Sequence, residues 1–103
     1  MSTLNVTTII PGADAATDAD LSLDGKGTGN VAIVDDATIG GNLSITGTTP
    51  TLTIGDAGAE DTKIVFDGNA ADFHIGLDDT TDSLILGLGS TLGTTSYMII
   101  DGQ

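Results

Sequence analysis

Residues 64–101 read IVFDGNAADFHIGLDDTTDSLILGLGSTLGTTSYMIID, and the spacing of their apolar side chains decides the fold. The apolar residues come in short bursts: Ile64-Val65-Phe66, Phe73-His74-Ile75-Gly76-Leu77, Leu84-Ile85-Leu86-Gly87-Leu88 and Tyr97-Met98-Ile99-Ile100. Asp, Gly, Asn and Thr separate them. Alternating positions along an extended chain point to opposite sides, so these bursts read as β-strands joined by turns. Leu84, Leu86 and Leu88 fall on one side and Ile85 on the other; Val65 opposes Ile64 and Phe66. Both sides of such strands are apolar. A single sheet has one covered side, so the second apolar side calls for another sheet or another subunit.

Upstream, the same pattern recurs in shorter form at Leu4-Asn5-Val6-Thr7, Leu21-Ser22-Leu23, Val31-Ala32-Ile33, Leu43-Ser44-Ile45 and Leu52-Thr53-Ile54. Burst starts lie roughly 9–13 residues apart, the spacing of a sandwich, barrel or solenoid-like β-fold. An apolar-x-apolar-Asp-Gly echo at residues 21–25 and 64–68 marks a reused strand-turn unit with unequal spacing. No segment keeps a helical period. Residues 11–20, PGADAATDAD, contain alanines but no apolar stripe, and read as an acidic loop. The expectation is an all-β chain of about eight to ten short antiparallel strands, in a sandwich or solenoid-like module. It is one module over residues 1–103, with residues 1–20 as attachment strand and acidic loop and 21–103 as the main β body.

Composition narrows the function. Leu, Ile, Val and Phe make up roughly a quarter of the 103 residues, above the range of disordered chains. There is no cysteine, which removes disulfides, thiolate metal sites and cysteine nucleophiles. Fifteen acids face two cations, Lys26 and Lys63, for a net charge of −13. Binding to nucleic acid or to an anionic membrane needs cations that this chain lacks. All the acids except Glu60 are aspartates, which favour turns over helices. No apolar run has the length of a membrane span, and residues 1–4 lack the basic start of a secretory signal, so synthesis in a cytoplasm is expected.

Few residues offer chemistry. His74, the single histidine, has no second histidine or cysteine to share a transition metal, and reads as a surface or interface residue. Ser83 or Ser90 could be drawn beside it with Asp72 or Asp78, but no nucleophile-elbow motif is present. The stretch Asp78-Asp79-Thr80-Thr81-Asp82 is the best candidate for a divalent cation such as calcium, with Asp78, Asp79 and Asp82 as ligands. It lacks the spaced ligands of a helix-loop-helix calcium loop, and a solvated Asp-capped turn explains it as well. The glycine-rich GKGTGN at residues 25–30 lacks the Lys-Ser/Thr ending of a phosphate loop and reads as a turn. No catalytic or cofactor-binding residue emerges, and a non-enzymatic protein is expected.

The wording of GNLSITGTTPTLTIGD, AGAEDTKIVFDGN, FHIGLDD and LILGLGSTLGTT within residues 41–101, preceded by LSLDGKGTGNVAI, resembles a segment that recurs in tail-fibre and other virion structural proteins of marine bacteriophages. The resemblance implies a β-structured, trimeric virion surface component and brings no catalytic residues. The short chain suits a head fibre, a capsid-decorating protein or a fibre module. Its expected partners are copies of itself, other virion proteins and, in a second reading, a host receptor or glycan stacked on Tyr97 or Phe73. A third reading is a self-polymerising filament or surface-layer protein. Leu84, Leu86, Leu88, Ile75 and Phe66 are expected in the core, and Val65, Ile85, Met98, Ile99 and Ile100 at subunit contacts.

Overall fold

The computed structural model describes residues 5–7, 23 and 27–103. The acidic loop at 11–20 and most of the Leu21–Leu23 burst lie outside them; of the expected attachment strand at residues 4–10 only 5–7 are described, exposed and in no ladder. The chain divides into two units, Met1–Leu43 and Ser44–Gln103. In the first, the described residues form no ladder, and Val31, Ile33 and Ile39 are exposed.

The second unit carries one four-stranded antiparallel sheet. Its strands are β1 (Thr62–Phe66), β2 (Phe73–Asp78), β3 (Ser83–Leu88) and β4 (Ser96–Asp101), in the order β1-β2-β3-β4. They contain the four bursts of residues 64–100. The described residues contain no helix, so the all-β character is as expected.

The strand number is corrected. Four strands stand among the described residues, and the bursts at 31–33, 43–45 and 52–54 are in no ladder. A strand exists only through the partner that accepts its hydrogen bonds. The four strands have five or six residues each, and each pairs with its predecessor in the chain. The bursts at 31–33, 43–45 and 52–54 carry the same alternation as Ile64-Val65-Phe66 but pair with no neighbour.

The turns explain the meander. Between β2 and β3, the Asp78 Oδ1 accepts from the Thr81 amide at 3.1 Å, and Asp82 adopts φ 51°, a left-handed conformation that Asp tolerates. Between β1 and β2, the Asp72 carboxylate accepts from the Gly68 amide at 3.1 Å. The link between β3 and β4, residues 89–95, is longer. It folds back over one side of the sheet.

Register fixes which residues share a side. Lys63, Gly76, Ile85 and Ile99 are cross-strand partners in one row, and Val65, His74 and Gly87 in the next. The 89–95 link covers this side. Two glycines in the central strands make room: a Cβ on Gly76 would meet Leu92 Cδ1 at 2.9 Å, and one on Gly87 would meet the His74 ring at 2.6 Å. The link is held by three bonds. His74 Nδ1 donates to the Gly89 carbonyl at 2.9 Å, Lys63 Nζ donates to the Ser90 carbonyl at 2.6 Å, and the Gly89 amide donates to the Asp72 carbonyl at 2.8 Å. Ile85, on this side, is 4% exposed and is the only buried large apolar side chain among the described residues.

Candidate interaction surface

The other side of the sheet is bare. Its rows, read from β1 to β4, are Thr62, Leu77, Leu84, Ile100 and then Ile64, Ile75, Leu86, Met98. Phe66, Phe73 and Leu88 complete it. Not one of these residues is charged. Phe66, Phe73, Leu86, Met98 and Ile100 are between 39% and 59% exposed. The acids of this unit lie in the turns, at the strand ends or, like Asp78 and Asp101, on the covered side.

A β-bulge shapes one end of the bare side. Gly87 pairs with Ser96 while Leu86 pairs with Met98, so Tyr97 is an extra residue in β4. It is released toward Phe73, with the ring centroids 6.4 Å apart and tilted by 40°. The result is an open groove of about 410 Å³ lined by Phe66, Phe73, Ile75, Leu86, Tyr97 and Met98, with the His74 and Gly87 positions at its base. A second hollow of about 230 Å³ lies along the same side, with Ile54, Ile64, Leu77 and Leu84 among its lining.

The expected core is realised only in part, with Ile75 and Leu88 half-buried. Leu84, Leu86 and Phe66, expected in the core, are exposed, whereas Ile85, expected at a subunit contact, is buried within the chain. The physical cause is the 89–95 link, which covers the Ile85 side and leaves the leucine side open. Of the other expected contact residues, Met98 and Ile100 lie on the bare side, and Val65 and Ile99 on the side of the link. All four are at least 37% exposed. Alternation alone separates the two sides of a strand; it does not say which one the chain's own loop will cover.

His74 also departs from expectation. It is 2% exposed rather than at the surface. A carbonyl can only accept, so the bond to Gly89 places the ring proton on Nδ1. Nε2 is buried against Gly87 with no hydrogen-bond partner. The ring nitrogens engage neither Ser83, whose hydroxyl donates to the Thr81 carbonyl at 3.1 Å, nor Ser90. The ring works as packing beneath the link. The glycine at position 87, directly across the ladder, is the sequence trace of that packing.

The aspartates of the β2–β3 turn are engaged in holding it. Asp78 caps Thr81, the Asp79 amide donates to the Asp61 carboxylate at 2.9 Å, and Asp82 Oδ2 accepts from Gln103 Nε2 at 3.4 Å. Among the described residues, no three His, Asp or Glu side chains gather as a cation site.

Tyr97 and Phe73, the sugar-stacking candidates, do come together, but the groove between them is walled by Phe66, Leu86 and Met98. A sugar needs hydrogen-bonding groups beside its stacking platform, and these walls suit an apolar occupant. Compared with family models, with curated proteins and with solved structures, the chain matches none.

Proposed function

We propose that this chain is a non-catalytic structural module of a bacteriophage virion surface: a short head fibre, a capsid-decorating protein or part of a tail fibre. It assembles as a homotrimer and contacts other virion proteins. The phage assignment rests on the wording of residues 21–101. The assembly reading rests on one structural observation, the lack of a core. Ile85 is the only buried large apolar side chain among the described residues, while more than a dozen others stand exposed. A domain below roughly 70–80 residues with so little buried surface needs a staple, and without cysteine the remaining means are a metal or other copies. A structural protein that exists only in an assembly has no need of a protomer core.

Sedimentation velocity of the purified chain tests the assembly, with a trimer expected and a stable monomer at every concentration overturning it. Mass spectrometry of purified particles from the encoding phage tests the location. The chain is expected there at structural copy number, and its absence from washed particles removes the virion role. Electron microscopy separates closed particles from open filaments, which would favour the polymer reading.

A further inference from the structure

We infer that the charge-free side of the sheet is the subunit interface, and that its occupant is the same side of other copies of this chain. The inference rests on the assembly reading above and adds to it which surface is used. On the other side the chain's own link, tied through His74, Lys63 and Asp72, covers the central strands and leaves Val65 and Ile99 exposed on the edge strands. Among the described residues nothing is laid over Leu86, Met98 and Ile100 on the bare side.

Size and charge both point to self-association. At about 150–250 Å² for a large side chain, the exposed fractions leave roughly 800 Å² of apolar surface, one partner's share of a standard interface. In a chain of net charge −13, most surfaces repel their own copy. This side is the exception, because its three rows contain no acid and the carboxylates sit at the turns or on the covered side. Two or three such sides can meet without opposing one carboxylate to another. The groove walled by Phe66, Phe73, Leu86, Tyr97 and Met98 supplies the aromatic-lined depression that an interface anchor requires. A neighbour's side chain fills it.

Met98 and Ile99 provide the test. They are adjacent in β4, 54% and 58% exposed, and on opposite sides of the sheet. In the full chain, Met98→Asp is expected to weaken assembly by roughly 100-fold or more, as truncating or charging a central interface residue does. Ile99→Asp leaves assembly intact. The chain has no cysteine, so Met98→Cys and Ile99→Cys each introduce a single thiol. The thiol at 98 is expected to resist a maleimide in the assembled protein and to react on dilution, while that at 99 reacts at once. The thiol rates decide the matter even when the Asp variant fails to fold.

A parent chain that is monomeric with both thiols reactive overturns the assembly reading and this one together. An assembled parent whose thiol at 98 reacts as fast as that at 99 overturns the interface alone. A monomer with the thiol at 98 already protected also overturns it, since the cover then comes from the same chain.

Discussion

His74 and Gly87 face each other across the β2–β3 ladder, and each is explained by the other. A methyl group on Gly87 would stand 2.6 Å from the imidazole and 2.5 Å from the Thr95 carbonyl. Gly87→Ala is therefore expected to destabilise the chain by about 1–3 kcal/mol, the range for overpacking a closed site. Truncating the ring relieves part of that clash, so Gly87→Ala in a His74→Ala background is expected to cost less than in the parent. Urea denaturation of the two single variants and the double variant measures this coupling, expected at about 0.5–2 kcal/mol. Additive effects would show that the ring and the glycine are independent. A different residue effect concerns pH. A side-chain hydrogen bond with Glu60, together with the Gly58 amide, holds the exposed Asp56 carboxyl below its ordinary value of 3.8. A lowered value means the folded turn releases its proton more readily than the unfolded chain. The contribution is fully present above the unfolded value and is lost as pH falls through the lower, folded one. NMR titration should show Asp56 still ionised at the pH where Asp in an unfolded peptide is half protonated, and Glu60→Ala, which removes the hydrogen-bond partner, should reduce that difference.

At the scale of elements, the 89–95 link decides more than any strand. It turns a two-sided apolar ribbon into a sheet with one covered side. Lys63 carries one of its three ties, and the Nζ–carbonyl bond to Ser90 is solvent-exposed. Lys63→Met is expected to cost about 0.5–1.5 kcal/mol and to speed amide exchange at Gly89 while the β2–β3 ladder stays protected. Unchanged exchange in the link would mean that packing of Leu92 over Gly76 holds it alone. Ile85→Asp has a different outcome. It places an unpaired charge at a buried apolar position and is expected to unfold the sheet, seen as loss of the far-ultraviolet β-signal rather than as a folded monomer. The four bursts of residues 64–100 were legible as strands, and each forms a ladder with its neighbour in the chain. The bursts at 31–33, 43–45 and 52–54 carried the same alternation and misled, because alternation reports amphipathicity and not the presence of a partner. Nor did Gly76 and Gly87, read singly, reveal the link; their meaning comes from Leu92 and His74, which the fold sets opposite them.

For the whole molecule, stability and assembly are expected to be one quantity. When association supplies the missing core, the melting temperature rises with protein concentration, because mass action favours the only well-buried state. Scanning calorimetry over a hundredfold range of concentration should show that rise, and a constant value would point to a protomer stable by itself. Salt acts in the same direction. Bringing together chains of net charge −13 is opposed by repulsion between exposed carboxylates, and about 0.15 M salt screens it beyond roughly 8 Å. Dissociation on dilution is expected to be greatest at low ionic strength.

By itself the sequence determined the all-β character, the position of the four paired strands, the acidic turns and the surplus of apolar surface. Those follow from local alternation and from the backbone preferences of Asp and Gly, which need no knowledge of distant contacts. Only the tertiary structure decided which side of each strand is covered, that His74 is packing rather than surface, and that Ile85 lies inside while Leu86 lies outside. Those depend on where the 89–95 link lands, and its ties to Lys63, Asp72 and His74 join residues 15 to 27 positions apart in the chain.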